Sequence, residues 1–144
     1  MQPLLTQLLN LESIAVEDYR DLGEEIVLEV AAILDWANCP RCGQKSYNVH
    51  QNHFHLVRDL SLSNRQVLLK LNRRQFKCHT CKKPFSEVLD FMGERRRYTD
   101  RFAEMIVKQV SHSNTHSVAQ NHDLTDDEVW SMVEYVSKKN GHAN

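Results

Sequence analysis

Two short stretches of the sequence decide the fold: Cys39-Pro40-Arg41-Cys42 and Cys78-His79-Thr80-Cys81. They contain all four cysteines of the 144-residue chain, two in each C-x-x-C pair. Two thiolates in one tight turn can bind the same ion, and two such turns complete the tetrahedral sulfur shell that zinc prefers. Because a closed four-sulfur site has no open position for water, the spacing predicts a structural Zn²⁺ held by Cys39, Cys42, Cys78 and Cys81 rather than a catalytic metal.

Other uses of the cysteines fit the sequence less well. Redox-active C-x-x-C motifs occur singly where a strand meets a helix, whereas both pairs here lie beside predicted strands. Disulfides would require export, but the chain begins Met1-Gln2-Pro3 without a basic segment, and acidic residues interrupt its apolar start. No stretch approaches the roughly 18 apolar residues needed to cross a bilayer. We therefore expect a cytoplasmic protein that does not associate with membranes.

Around the cysteines, the apolar pattern predicts short β-strands. Two β-branched runs flank Gly23, which favours a hairpin with a positive φ at that glycine. The predicted elements are a helix over 3–10, strands over 14–19 and 25–34, and strands over 54–60 and 66–76. The 35 residues between the two cysteine pairs would then form a hairpin inserted into an antiparallel, zinc-ribbon-like β domain over residues 1–93.

After residue 93 the pattern becomes helical. One helix begins at Thr99, whose side chain can cap it, and a second fits residues 115–122. The third begins with Thr125-Asp126-Asp127-Glu128, a capping box in which the Thr and Glu side chains accept hydrogen bonds from each other's backbone amides. We predict an α+β protein in which a three-helix helix-turn-helix domain occupies residues 94–140, followed by a tail over 141–144.

The net charge of −1 conceals a strong asymmetry along the chain. Residues 1–38 contain eight acids and one base, for a net charge of −7. Residues 39–108 contain fifteen bases and six acids, for +9, and residues 109–144 carry −3. A basic middle segment can meet a polyanion even when the whole protein is nearly neutral.

This distribution predicts binding to double-stranded DNA, with phosphate contacts from the middle segment and base contacts from the last helix. The candidate contacts are Arg58, Arg65, Lys70, Arg73, Arg74, Lys77, Lys82, Lys83, Arg95, Arg96, Arg97, Arg101, Ser131, Tyr135 and Lys138. His50, His53 and His55 are interpreted as solvated or phosphate-facing side chains rather than a second metal site, although residues 53 and 55 share a predicted strand face. Since the first turn of the last helix is acidic, the alternative is an interaction adaptor that docks a partner protein on a zinc-ribbon scaffold.

The same residues resemble a known family. Cys39-Pro40-x-Cys42-Gly43, Val57-Arg58-Asp59-Leu60 and Arg73-Arg74-Gln75-Phe76-x-Cys78-x-x-Cys81 are similar to the N-terminal zinc-binding domain of ISL3 family transposases. Further along, Arg97-Tyr98-Thr99-Asp100-Arg101-Phe102 and the region from Val118-Ala119 to Val129-Trp130 are similar to the helix-turn-helix of that family. The resemblance covers about residues 4–137.

The resemblance implies zinc ligation by the four cysteines and binding of an insertion element's terminal inverted repeats. Three residues depart from the family pattern: Lys82 stands where a Gly usually follows the last knuckle, and His122 and Asp123 replace an apolar residue and a Gly at the turn. Family transposases continue into a catalytic domain with three carboxylates, which we do not find here. We therefore expect no enzymatic activity and a role as a truncated transposase or a derived DNA-binding regulator, with homodimer formation left open.

Overall fold

The computed structural model describes residues 1–141, so the predicted tail lies outside the described residues except for Gly141. The chain forms two compact units, Met1–Arg97 and a second that begins at Tyr98. The first unit contains, among the described residues, α1 (Pro3–Leu9), β1 (Ile14–Asp21), β2 (Glu25–Ala32), β3 (Ala37–Asn38), β4 (Lys45–Ser46), β5 (Val49–Gln51), β6 (Phe54–Leu62), β7 (Arg65–Asn72), β8 (Gln75–Lys77) and β9 (Pro84–Ser86). The second contains α2 (Asp100–Ser111), α3 (Thr115–Asn121) and α4 (Asp126–Gly141). The predicted α+β class is confirmed, whereas the bounds 1–93 and 94–140 stay a prediction.

The main sheet joins two hairpins in the order β1-β2-β7-β6. The first hairpin turns at Gly23, which has a φ of 90° as predicted, and the second turns at Ser63 and Asn64, both with positive φ. The central strands β2 and β7 pair in parallel. The prediction of an antiparallel β domain is therefore wrong for the pair β2 and β7. Parallel neighbours need a long crossover, and the chain from β3 to β6 provides it.

One face of this sheet carries the core of the first unit. On β2 and β7 buried residues alternate with more exposed ones, as expected for strands with one buried face. Helix α1 and the segment after β9 cover that face. The buried cluster consists of Leu9, Ile14, Val16, Ile26, Leu28, Val30, Val57, Val67, Leu69, Leu71, Leu89, Phe91 and Met92.

Two small antiparallel sheets, β3-β4 and β5-β8-β9, hold the cysteine segments. The single strand predicted over residues 66–76 is in fact two strands, because the chain leaves the main sheet after Asn72 and resumes pairing at Gln75. At the break, the Arg74 backbone N–H donates to the Glu87 carboxylate at 2.8 Å instead of to a neighbouring strand.

Side-chain caps fix the helices of the second unit. The Thr99 hydroxyl accepts from the Phe102 N–H at the start of α2, as predicted. At α4 the predicted capping box is present: Thr125 Oγ1 accepts from the Glu128 N–H, and Glu128 Oε1 accepts from the Thr125 N–H, both at 3.1 Å. Asp123 takes a left-handed φ of 56° in the preceding turn.

The apolar faces of α2, α3 and α4 pack into one core, made of Tyr98, Phe102, Ala103, Ile106, Val118, Ala119, Val129, Met132 and Val136. That the three helices adopt the arrangement of a DNA-reading helix-turn-helix stays a prediction. Within residues 1–141, no helix combines the length and apolar character needed to cross a membrane.

Candidate metal centre and nucleic-acid interface

The four predicted metal ligands come together in the first unit. Cys39 and Cys42 lie in the turn between β3 and β4, and Cys78 and Cys81 lie between β8 and β9. Their Sγ atoms all lie within 4.8 Å of one another, with Cys39 to Cys81 at 4.0 Å and Cys42 to Cys78 at 3.5 Å. A zinc tetrahedron with bonds of about 2.3 Å has sulfur-to-sulfur edges of about 3.8 Å, which these distances bracket. All four cysteines are free, so the cluster fits a structural zinc ion.

The two cysteine turns share one backbone geometry. In the first, the Gly43 N–H donates to the Cys39 carbonyl at 2.8 Å, and in the second the Lys82 N–H donates to the Cys78 carbonyl at 3.0 Å. Gly43 has a φ of 75° and Lys82 a φ of 61°. Each turn thus needs a left-handed residue after its second cysteine, which glycine adopts readily and lysine does not. This explains why the family pattern has a glycine at the position of Lys82, and it means that Lys82 holds a backbone conformation that is unfavourable for lysine.

The thiols of the cluster differ in how readily they lose a proton, because they lie too close together to ionise independently. Although burial opposes it, hydrogen bonds from the Cys42 and Arg41 backbone N–H groups lower the pKa of Cys39 to about 6. Although the Gln44 N–H favours its thiolate, burial and hydrogen bonds shared with the other three cysteines raise the pKa of Cys42 to about 12. Four sulfurs this close need a cation to become thiolates together, and a divalent ion provides that charge.

Few apolar residues support the cysteine turns. Cys39 and Cys78 are buried against Phe76 and Phe85, whose rings stack with centroids 5.9 Å apart. The Arg41 guanidinium joins the two turns by donating to the Lys83 carbonyl at 3.0 Å. Because such a small cluster buries little apolar surface, the metal is expected to supply much of the stability of this region.

One predicted DNA contact, Arg74, forms a buried ion pair within the first unit instead. Arg74 makes a two-pronged ion pair with Glu87, Nε to Oε2 at 2.8 Å and Nη2 to Oε1 at 2.9 Å, and only 14% of its side chain is exposed. Its Nη2 also donates to the Leu34 carbonyl at 2.9 Å. The structure thus places Arg74 in the interior, and we leave it out of the DNA interface proposed below.

Two other predicted contacts form surface ion pairs on the main sheet. Arg65 pairs with Asp21 at 2.6 Å, and Lys70 pairs with Glu29 at 3.5 Å. A hydrogen bond from the Gly23 N–H is the largest cause that lowers the pKa of Asp21, and the contact with Arg65 lowers it further. All four side chains are at least one-third exposed, so both pairs can exchange partners when a polyanion approaches.

Most of the remaining cations of the first unit group around two cavities. One, of about 420 Å³, is lined by Arg73 and by Arg95, Arg96 and Arg97. The other, of about 660 Å³, lies beside the second cysteine turn and is lined by Lys77 and Lys82. Lys45 and His79 also line it. Neither was predicted as a DNA contact, although both lie in the basic segment. Lys83 is exposed next to this cavity, and Arg58 lies on β6.

The predicted contacts of the second unit lie on α2 and α4. Arg101 is in the first turn of α2, and Ser131, Tyr135 and Lys138 are on α4. The Tyr135 hydroxyl donates to Asp100 Oδ1 at 2.5 Å. Trp130 is 55% exposed on α4.

Comparison with known proteins identifies the two regions. Residues 37–81 match the family model described as the zinc-finger of transposase IS204/IS1001/IS1096/IS1165. Residues 87–137 match the helix-turn-helix domain of transposase family ISL3. The chain belongs to the ISL3 transposase family. The zinc finger of this family contains the four clustered cysteines, and the predicted structural zinc is confirmed as its cofactor.

One curated relative is the transposase for insertion sequence element IS1001 from Bordetella parapertussis. It is 32% identical over 100 residues, which is 69% of this chain and 24% of the relative. The chain therefore spans about a quarter of the length of that ISL3-family relative. The two matched domains are not catalytic ones. No solved structure matches the chain.

Proposed function

We propose that these residues form the end-binding region of an ISL3-family transposase, which holds the terminal inverted repeats of an insertion element. One observation carries the proposal: a zinc finger with four sulfurs within 4.8 Å and a helix-turn-helix of the same transposase family occur in one chain. A folded ribbon presents cations at fixed positions, and a helix-turn-helix reads base edges in the major groove.

The charge distribution supports a phosphate-binding role for the middle segment. Residues 39–108 carry a net charge of +9, and zinc with four thiolates adds about −2 locally. The proposed backbone contacts are Arg58, Arg73, Lys77, Lys82, Lys83, Arg95, Arg96, Arg97 and Arg101, with Arg65 and Lys70 released from their surface pairs. On α4, Ser131, Tyr135 and Lys138 face bases and phosphates. The acidic first turn of α4 suits the helix dipole and contributes caps rather than DNA contacts.

The proposed activity of these residues is binding without strand cleavage. A protein consisting of this region alone, as a truncated transposase or a derived regulator, would occupy element ends and compete with a full transposase there. Incubating the zinc-loaded chain with end-containing DNA and Mg²⁺ or Mn²⁺ is expected to yield no nicked or joined product. A nicked product would refute this part of the proposal.

The decisive test is selection of bound fragments from the genome of the source organism, followed by fluorescence anisotropy across a salt series. We expect enrichment of element ends and an affinity that falls steeply with salt, because each neutralised phosphate contributes about −0.9 to the slope of log K against log salt. Weak binding that does not change with salt would refute DNA binding. A palindromic footprint would indicate a two-fold dimer, and a single half-site a monomer.

A second candidate function rests on the β1–β2 hairpin. β1 is an edge strand with five consecutive exposed residues from Glu17 to Asp21, and residues 1–38 carry −7. This acidic edge fits a basic partner protein, as in an adaptor. Co-purification of such a partner, together with indifference of the chain to DNA, would favour this function. In either function the expected location is the cytoplasm, where DNA and reduced thiols are both found.

A further inference from the structure

One cavity of the first unit is lined mainly by cationic side chains from three segments. His55 comes from β6, Arg73 from the residue after β7, and the arginines from the turn at 94–97. Its volume of about 420 Å³ falls in the size range of ligand-binding pockets. The complete lining is His55, Leu71, Arg73, Ser86, Met92, Glu94, Arg95, Arg96 and Arg97.

The turn that carries the arginines has a defined shape. Arg95 has a left-handed φ of 59°, and the Arg96 N–H donates to the Gly93 carbonyl at 3.4 Å. The Arg97 carbonyl accepts from the Arg58 N–H on β6 at 2.9 Å, which fixes the end of the turn against the sheet. These backbone contacts hold the turn that carries the three arginines beside the cavity.

One of the residues that line the cavity has an unused hydrogen-bond donor. Arg73 Nε is buried and has no hydrogen-bond partner among the described residues. A buried N–H without an acceptor is costly, so such a group marks a place where an acceptor is missing. Arg73 differs in this respect from the adjacent Arg74, whose guanidinium bonds both Glu87 and Leu34.

The electrostatics of the cavity favour an anion. Burial first, and then the charges of Arg97, His53 and Arg73, lower the pKa of His55. The imidazole is thus in a positive field, which a bound anion would weaken. Glu94 is the one carboxylate in the lining, and it is exposed. The positive charges of the four lining arginines outweigh its negative charge even when His55 is neutral. The Ser86 hydroxyl offers a further donor.

We propose that this cavity binds one backbone phosphate of the bound DNA, with Arg73 and Arg97 as the principal contacts. The assignment rests on the proposed function, since it names where in the ribbon unit the backbone is held. Arginine presents its N–H groups in a planar fork that matches two phosphate oxygens, so neighbouring arginines are suited to a phosphodiester. The DNA backbone is preferred over a free anion because the cavity adjoins the exposed basic turn rather than being enclosed.

The first test compares DNA binding by Arg73→Gln and Arg97→Gln with Arg20→Gln. The control removes the same charge from an exposed position on β1, outside the cavity. We expect each cavity variant to lower the affinity about tenfold and to reduce the magnitude of the salt slope by about 1, with a similar loss for all DNA sequences. Arg20→Gln should leave both unchanged. Measurements of zinc content and thermal unfolding check that each variant folds. Because Arg97 is exposed, we expect Arg97→Gln to fold even if Arg73→Gln does not.

The second test uses inorganic phosphate and the His55 imidazole resonances. Phosphate is expected to shift them in a saturable way and to raise the pKa of His55, and Arg73→Gln should abolish the effect. If the wild-type chain binds DNA but the cavity variants lose no more than Arg20→Gln, the phosphate assignment is refuted while the proposed function stands. A phosphate-dependent His55 shift with unchanged DNA affinity identifies a free-anion site and also refutes it. If the wild-type chain does not bind DNA at all, the proposed function itself fails.

Discussion

The buried ion pair between Arg74 and Glu87 provides a sharp test of which basic residues hold the fold. The Glu87 carboxylate accepts from the Arg74 backbone N–H, Nε and Nη2 at 2.8–2.9 Å, and only 7% of its side chain is exposed. Through Arg74 it also connects to the Leu34 carbonyl, and the guanidinium lies 4.9 Å from the ring centroid of Phe76. This one pair thus connects the end of β2 to the apolar cluster beside the cysteines.

Glu87→Ala would leave the Arg74 guanidinium poorly solvated and without its counter-ion. Breaking one partner of a buried pair costs about 3–5 kcal/mol. This is a large part of the roughly 5–15 kcal/mol that stabilises a typical domain. We expect urea denaturation of the zinc-loaded protein to show this loss in the first unit. The matched control is Glu29→Ala, because the Glu29–Lys70 pair is exposed, with N···O at 3.5 Å, and should contribute less than about 1 kcal/mol.

The same pair separates a structural role from a DNA contact. Arg74→Lys keeps the charge but loses the two-pronged geometry, so it should lower the free energy of unfolding while DNA affinity per folded molecule stays within about twofold of wild type. If Glu87→Ala costs no more than Glu29→Ala, the stabilising role of the pair is wrong. If Arg74→Lys weakens DNA binding without any loss of stability, Arg74 belongs to the interface after all.

Three further predictions concern the cysteine turns and the helices. Lys82→Gly should stabilise the zinc-loaded protein by about 1 kcal/mol in thermal unfolding, because it removes a left-handed lysine, whereas Lys82→Gln should not; equal melting temperatures would contradict this. Thr125→Ala should cost about 1 kcal/mol in urea unfolding of the second unit by removing the cap on the Glu128 N–H, and Thr125→Ser should restore it; unchanged stability would show that the capping box contributes nothing. Zinc chelation should abolish amide protection around Phe76 and Phe85 but keep the helices from Asp100 onward, as followed by hydrogen exchange; loss of both together would show that the helical core does not fold independently.

Features set by nearby residues were predictable from the sequence. The C-x-x-C turns, the hairpin at Gly23 and the caps at Thr99 and Thr125 each depend on residues a few positions apart, and all are present. The four cysteines could be assigned to one cluster because zinc requires four ligands, which turns a local motif into a long-range contact. Local chemistry thus predicted the elements and the metal centre.

Features set by distant partners were not predictable in this way. The parallel pairing of β2 and β7 was not predicted, because a short apolar run is compatible with either direction of pairing and one face of each strand alternates in burial as in an antiparallel sheet. Arg74 looked like one more member of a basic run, and only its contact with Glu87, thirteen residues away, shows its structural role. The cavity beside Arg73 likewise exists only in the folded chain, because its lining comes from β6, from the residue after β7 and from the turn at 94–97.

Because β2 and β7 pair in parallel, zinc binding is coupled to formation of the main sheet. The chain leaves β2 at Ala32 and returns as β7 at Arg65, and the first cysteine turn lies within this crossover. The sulfur contact between Cys42 and Cys78 spans 36 residues that contain the whole β6–β7 hairpin. Clamping the two turns on one ion reduces the entropy that the chain must lose when β7 closes against β2. Conversely, a formed sheet holds the two turns close before the ion binds. We therefore expect sheet formation and zinc binding to favour each other, and together to fix the positions of the basic residues after β7.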